Sequence, residues 1–328
     1  MIELRKEGLY CPAGDFYIDP WLPVNQAVIS HAHGDHARFG SKEYYCVDKC
    51  LPILKQRLGD ENIFHPKSYR EPFQLKNTKV SFHSAGHILG SAQIRIEHNN
   101  QVWVFSGDYK RGHDPSCDAF EVVPCDTFVS ECTFGLPIYK WEDGHAIGKK
   151  IFDWWQSDQD RPSLLFCYAL GKAQRILAEL KDFTDKTIYV HGAVESLTKI
   201  YRNAGIKMLP TQVITEKEKN YNFNGDLILA PPSAHRSLWM KRFKAPQTAF
   251  ASGWMQVRGT RRRKGYEKGF VLSDHADWSQ LNETIKQTRA KTVYLTHGKT
   301  DVLQRYLTEQ GLTVKLFQTQ FDDIEDAS

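Results

Sequence analysis

Cysteine is scarce in this chain and poorly arranged for cross-linking. The seven cysteines (Cys11, Cys46, Cys50, Cys117, Cys125, Cys132, Cys167) are odd in number and scattered, and no two form a C-x-x-C pair. That excludes a disulfide framework and a thiolate zinc finger as organising principles, leaving reduced, mostly buried thiols. No apolar run approaches the ~20 residues of a membrane span. The opening MIELRKEGLYCPAGDFYIDP lacks the apolar core of a signal peptide. A cytoplasmic location with no membrane partner is therefore expected. A dominant charge is also missing: 43 Lys and Arg stand against 39 Asp and Glu, a net +4, so overall electrostatics identify no partner. There is no internal repeat and no low-complexity stretch.

What is present is ordinary for a globular protein: 328 residues, 41% of them hydrophobic, enough for a substantial core and a length that favours two domains. Strand-like runs recur, each closing on a polar cluster. QAVIS delivers His31, and His87 sits between KVSFHSAG and SAQIRIE. QVWVFSGDY runs out at Asp108, DTFVSECTFG near Glu131, GFVLSDHADW at Asp274 and His275, and KTVYLTHGK at His297. An apolar strand followed at its C-terminal end by a histidine or carboxylate is how a rigid sheet holds polar groups in one cleft.

From Trp141 to about Gly265 the texture changes. Helical patterns in IGKKIFDWWQ and ALGKAQRILAELKDF mix with the strand runs SLLFCYA, KTIYVHG and DLILAPP, which predicts an α/β domain. It interrupts the histidine-bearing strands, so residues 1–140 and 266–328 are expected to form one domain in two parts, with 141–265 inserted. WSQLNETIKQTRA and TDVLQRYLTEQG predict two helices returning to the first domain, and the acidic FDDIEDAS is expected to fray.

The stretch VISHAHGDHARFG packs His31, His33, Asp35 and His36 into six residues. In an extended segment residues i and i+2 face the same way, so His31 and His33 address one ion. Asp35 and His36 point elsewhere and, if the chain turns into a helix, address a second. His87 completes a three-histidine set for the first ion, Asp108 bridges both, and His297 closes the second shell. The donors are all nitrogen and oxygen, which suits two Zn²⁺ ions, with Mn²⁺ as the other option. Two ions roughly 3.5 to 4 Å apart bring a shared water towards a pKa of ~7, so the reaction class is hydrolysis.

These motifs resemble a known family. SHAHGDH (Ser30 to His36), SAGHILGSAQ (Ser84 to Gln93) and SGDY (Ser106 to Tyr109) are similar to the metal motifs of the metallo-β-lactamase fold. SECTFG (Ser130 to Gly135), SDHADW (Ser273 to Trp278) and THGK (Thr296 to Lys299) resemble the further motifs of its β-CASP nuclease branch, which includes Artemis, the crosslink-repair nucleases, RNase J and the pre-mRNA 3′-end endonuclease. ILAPPSAHRS and AFASGWMQVRG, with THGKTDVLQRYL, extend the resemblance to the bacterial ligase-associated DNA exonucleases of the damage response.

The resemblance implies an α/β fold, a metallo-β-lactamase αββα sandwich with an inserted α/β β-CASP domain. It implies the same ligand sets: His31, His33, His87 and Asp108 for one metal, Asp35, His36, Asp108 and His297 for the other. Asp35, Glu131 and His275 form the implied catalytic set, with Glu131 orienting His275 and His275 protonating the leaving ribose or deoxyribose oxygen. Asp15 or Asp19 is expected to support a ligating histidine, and Asp274 to be a surface or capping residue. The implied activity is 5′-to-3′ exonuclease action on single-stranded DNA by a two-metal hydroxide mechanism in repair, alongside a DNA ligase and a helicase. One position departs from this: DNA-acting members of the Artemis type usually carry valine where this chain has His297, and histidine is typical of RNA-acting members. RNA therefore stands as the alternative substrate.

Charge is local rather than global. RGTRRRKGYEKG (Arg258 to Gly269) holds six basic residues against one glutamate and reads as a solvated loop, with Arg261 and Arg262 as candidate phosphate contacts. Lys172, at a predicted helix start, and Ser252, in the SGW that matches a β-CASP loop, are further candidates; Trp254 is a candidate for base stacking. Truncating the arginine cluster is expected to weaken DNA binding and flatten its salt dependence, measured by titration at several salt concentrations. Unchanged binding would return the cluster to a solvated face.

Overall fold

The computed structural model describes residues 1–218, 220–257 and 265–317; most of the arginine run, with Arg261 and Arg262, and the acidic tail lie outside them. The chain divides into two compact units. One comprises Met1–Arg111, Cys117–Lys140 and His275–Ser328, the other Gly112–Ser116 and Trp141–Asp274.

The first unit begins with a six-stranded sheet whose spatial order follows the chain. Strands β1 (Glu3–Arg5), β2 (Gly8–Cys11) and β3 (Phe16–Ile18) are antiparallel; β4 (Gln26–Val28), β5 (Glu43–Val47) and β6 (Ile63–Lys67) continue parallel to β3, with helix α1 (Leu51–Leu58) between β5 and β6. A second sheet starts as an antiparallel meander of β7 (Phe73–Leu75), β8 (Thr78–Ser84), β9 (Ala92–His98) and β10 (Gln101–Phe105), after which β11 (Thr127–Glu131) lies parallel to β10.

The second unit holds α2 (Gly144–Gln156), β12 (Ser163–Phe166), α3 (Lys172–Leu180), β13 (Ile188–Val190), α4 (Gly192–Asn203), β14 (Thr211–Val213), β15 (Leu227–Ala230), β16 (Gln247–Ala251) and β17 (Lys268–Phe270). Its six strands are all parallel, in the order β14-β13-β15-β12-β16-β17. Side chains alternate between its faces, as a period of two requires. Leu165, Leu227, Leu229 and Ala249 bury one face with Ile147, Ile151, Ile176 and Leu177 of the helices. Leu164, Phe166, Ile228 and Phe250 face the other way, among Phe223, Phe243, Met255 and Tyr266 from irregular segments.

The first unit then resumes with α5 (Trp278–Thr288), β18 (Thr292–Thr296), α6 (Asp301–Glu309) and β19 (Thr313–Leu316). The second sheet is thereby completed in the order β19-β18-β11-β10-β9-β8-β7. Asp277 caps α5 by accepting from Gln280 N at 2.8 Å. Leu281, Ile285, Leu303 and Leu307 of the two helices pack on Val104, Phe128, Val293 and Leu295 of the sheet.

Two details differ from the sequence expectation. Lys268 and Gly269 belong to β17, paired in register with β16 (Phe250↔Gly269), rather than to a solvated loop. The return to the first unit consequently falls at His275, not at residue 266.

The three parallel strands β10, β11 and β18 position the polar groups. Phe105 lies opposite Val129, and Glu131 opposite Thr296, so Asp108, Glu131 and His297 emerge together at the carboxyl ends of adjacent strands. Gly107 makes the turn into Asp108 with φ +55°, and a Cβ there would lie 2.8 Å from the Cβ of Ser30. Only glycine fits that left-handed, crowded position.

Candidate active site

The loop after β4 carries His31 and His33, and a turn closed by Ala37 N donating to the His33 carbonyl (2.9 Å) carries Asp35 and His36. His31 Nε2 lies 3.1 Å from His33 Nδ1, which is 3.0 Å from His87 Nε2. Asp108 Oδ2 is 3.4 Å from His31 Nε2 and 3.7 Å from His87 Nε2. Ligand atoms of these four residues all lie within 4.8 Å of one another. Two nitrogens on a tetrahedral zinc are about 3.3 Å apart, from a Zn–N bond of about 2.05 Å. The convergence therefore has nearly the dimensions of one ion's shell.

His36 is turned by a different device. Asp19 Oδ2 accepts from His36 Nδ1 at 2.7 Å and from the Ser30 hydroxyl at 2.5 Å, while its Oδ1 accepts from Ser30 N at 2.7 Å. The opposite nitrogen, His36 Nε2, is buried, makes no hydrogen bond, and lies 3.6 Å from Asp35 and 3.4 Å from Asp108. A buried ring nitrogen facing two carboxylates without bonding either fits a second cation. His297, after β18, stacks on His36 with centroids 5.2 Å apart. All seven metal-ligand candidates are thus gathered into one constellation. It opens to solvent beside His33 and Asp35, which are half-buried and exposed respectively by side chain.

The charges are strongly coupled. Burial, reinforced by His36, holds His31 well below its usual pKa. Burial also opposes charge on His36, but the carboxylates of Asp108 and Asp35 outweigh it and lift that imidazole well above its usual value. Burial likewise works against the Asp108 anion and is overcome by His36 and His275, which hold it well below the usual carboxylate range. Burial, with His36 adding to it, lowers His297. His36 is thus the imidazole of the cluster whose charged form the carboxylates favour.

Glu131 and His275 adjoin this cluster. His275 Nδ1 is 3.0 Å from both carboxylate oxygens of Glu131. Glu131 is itself fixed, Oε1 accepting from Tyr109 N at 2.9 Å and Oε2 from Thr133 N at 3.3 Å. The ring of His275 lies 4.8 Å from that of His87.

The other candidates divide. Asp19, not Asp15, is the supporting aspartate: Asp15 instead binds the Tyr10 hydroxyl at 2.7 Å and Lys76 near the surface. Asp274 is buried rather than a surface or capping residue, because it binds Lys172 Nζ at 2.7 Å and Arg175 Nη1 at 3.3 Å. Lys172 is consequently not an open helix-start cation; a buried ammonium needs such a partner. Ser252 is buried and its hydroxyl accepts from Trp254 N at 3.4 Å, capping the turn after β16. Arg57 was not foreseen: from α1 it donates to the Ala32 carbonyl, between the first two histidines, and faces Asp35. No local pattern marks it, because it reaches the loop from 25 residues away.

No family model matches the chain. It is 28% identical to a probable DNA ligase of Opitutus terrae over 94% of this chain and 30% of that protein. It is 24% identical to an RNase J-like protein of Methanocaldococcus jannaschii over 64% of this chain and 57% of that one. The chain therefore spans about a third and somewhat over half of these two relatives. A crystal structure of a protein of unknown function from Enterococcus faecalis shares the fold, with a TM-score of 0.60 at 11% identity over 90% of this chain and 80% of that one. Fold and relatives together define the metallo-β-lactamase αββα class with an α/β insertion. Within it, the chain is similar along most of its length to the β-CASP nucleases.

Two outcomes follow for the metal centre. Asp19→Ala should lower metal affinity about 10- to 100-fold by releasing His36 and Ser30, read by titrating zinc into metal-free protein. Because His36 carries a raised pKa, uptake should release protons and weaken as pH falls. Calorimetric heats that do not vary with the buffer's ionisation enthalpy would contradict this.

Proposed function

We propose that the chain is a metal-dependent phosphodiesterase degrading DNA from a terminus, a 5′-to-3′ exonuclease on single strands that acts in DNA repair in the cytoplasm. The observation that carries the reading is the Glu131–His275 pair beside the His31, His33, His87 and Asp108 cluster, an acid–base group next to a cation site. The ion set is two divalent cations, Zn²⁺ first and Mn²⁺ second, with Asp35, His36, Asp108 and His297 holding the second. DNA is favoured because the relative matched over 94% of this chain is named a probable DNA ligase. A ligase and a helicase are accordingly the proposed functional partners. Residues 141–274 act as the inserted β-CASP domain, with Arg261 and Arg262 as phosphate contacts.

Divalent ions at these donors supply Lewis acidity for charge on the phosphoryl oxygens and for ionising water near neutral pH. Every other task falls to the chain. His31, His33 and His87 would offer ring nitrogens to the ions, and Asp35 and Asp108 would hold them with carboxylates that offset part of their charge. Glu131 accepts the Nδ1 proton of His275, which leaves Nε2 as the position that gives a proton to the departing sugar oxygen. Tyr109 N and Thr133 N keep Glu131 in that orientation.

A ribonuclease is the second reading, favoured by His297 in contact with His36 and by the RNase J-like relative. One assay separates them. Protein supplied with Zn²⁺ or Mn²⁺ should shorten end-labelled single-stranded DNA from its 5′ end. Intact DNA beside degraded RNA of the same sequence would overturn the leading reading. His275→Ala should cut the rate by ~10²- to 10⁴-fold with metal content unchanged; loss of metal would make His275 a ligand instead.

A further inference from the structure

The helices of the second unit cover only one face of its parallel sheet, and the opposite face is covered by irregular segments rich in rings and cations. We propose that this second face is a track for single-stranded nucleic acid, with bases stacking on its open rings, His191, Trp239 and Tyr221, and phosphates meeting its cations. The proposal rests on the nuclease reading only for the identity of the strand.

Six rings form a continuous row. His191, at the start of α4, meets Trp239 edge-on at 5.0 Å, and Trp239 meets Phe243 at 5.0 Å. Phe243 contacts Phe223 at 5.1 Å, Phe223 contacts Tyr221 at 4.8 Å, and Tyr221 contacts Tyr189 at 5.4 Å. The row opens at Tyr221, which is 48% exposed, and at the half-buried His191 and Trp239, while Phe243, Phe223 and Tyr189 are buried beneath them; Leu238, beside Trp239, is 79% exposed.

Charge selects the occupant. Residues 235–244, HRSLWMKRFK, contain Arg236, Lys241, Arg242 and Lys244 and no carboxylate. Arg236, Lys241 and Lys244 are exposed, and the Arg242 guanidinium sits over the Trp239 ring at 5.6 Å. Acidic groups also border the row: Glu216 lies 3.7 Å from Arg242 and is itself exposed, and Asp226 bonds Tyr221 at the far end. Protein-docking patches are depleted of lysine at their centres, whereas single-strand grooves combine cations along a backbone with rings that accept any base. Location agrees, because His191 and the segment from His235 follow the carboxyl ends of β13 and β15, where parallel sheets receive ligands.

The test uses metal-free protein in chelator, so that binding is read without cleavage, and fluorescein-labelled 20-mers of oligo(dT) and oligo(U) followed by anisotropy across salt concentrations. Trp239→Ala should weaken binding about tenfold with the salt slope unchanged, as expected for a lost stacking contact. Lys241→Ala with Lys244→Ala should reduce the slope by about 1.4, at ~0.7 per phosphate contact. Leu238→Glu, at an exposed position, should also weaken binding and guards against misfolding of the tryptophan variant. Wild-type affinity and slope in all three, with melting curves confirming folded protein, would overturn the track and leave the face to a protein partner. The oligo(dT) and oligo(U) arms report which strand is preferred. If wild-type protein binds a strand yet leaves labelled DNA and RNA intact when given Zn²⁺ or Mn²⁺, the nuclease reading fails and the track stands; the track alone fails if an active wild type is matched by unaltered variants.

Discussion

The buried carboxylate of Asp108 is the constraint from which the rest of the candidate site follows. It is 6% exposed and is acted on electrostatically by His36, His275 and His31. An ionised carboxylate held out of water needs positive charge close by, since an opposite unit charge at 4 Å offsets about 4 kcal/mol of its cost at an effective dielectric of 20. His36 lies against both Asp108 and Asp35, and the other members of the cluster are imidazoles, which add donor atoms without adding negative charge. The composition of the cluster is thus what a cation site calls for rather than a hydrogen-bond network with spare members.

The same orienting device appears twice around that carboxylate. Asp19 holds Nδ1 of His36, and Glu131 holds Nδ1 of His275, so each ring turns its Nε2 away from its carboxylate partner. The two carboxylates are fixed by different means: Asp19 by Ser30, Glu131 by two main-chain N–H groups. A ring oriented on one side only is free to bind an ion or to carry a proton on the other. Asp35 and Asp108 lie against Nε2 of His36. His275 lies beside His87 and Phe134, with Asp108 also within reach.

Much of this was legible in the sequence, and for a definite reason. Ligands that follow strands leave a local signature: an apolar run and then a histidine or acid, as at His31, Asp108, Glu131 and His297. Helices α2, α3, α5 and α6 showed themselves by amphipathic periodicity in the same way. Contacts made across the fold leave no such trace. Asp15 and Asp19 were equivalent by spacing, and only pairing of β3 with β4 brings Asp19 to Ser30. Arg57 arrives from a helix, and Lys172 resembled a phosphate cradle until Asp274 was found beside it. The boundary at His275 was hidden because β17 is a short edge strand of three residues, revealed by its ladder with β16 and not by its composition.

Strand spacing explains why Asp108 and Glu131 meet different partners. Parallel neighbours lie ~4.8 Å apart, so the ends of β10, β11 and β18 span about 10 Å. Glu131 is the last residue of the middle strand, and its short reach commits it to the main-chain donors around its own strand end. Asp108 is carried beyond its strand by a Ser106–Gly107 turn, and the left-handed Gly107 bends it towards Ser30 and the loop after β4. His297 follows directly after β18, itself with φ +54°, a conformation a non-glycine residue rarely adopts. Two outer strands therefore bend their polar residues towards the histidine loop while the middle one stays behind to hold His275. Which acid joins the cluster of His31, His33 and His87 and which joins His275 is thus a consequence of register in the sheet.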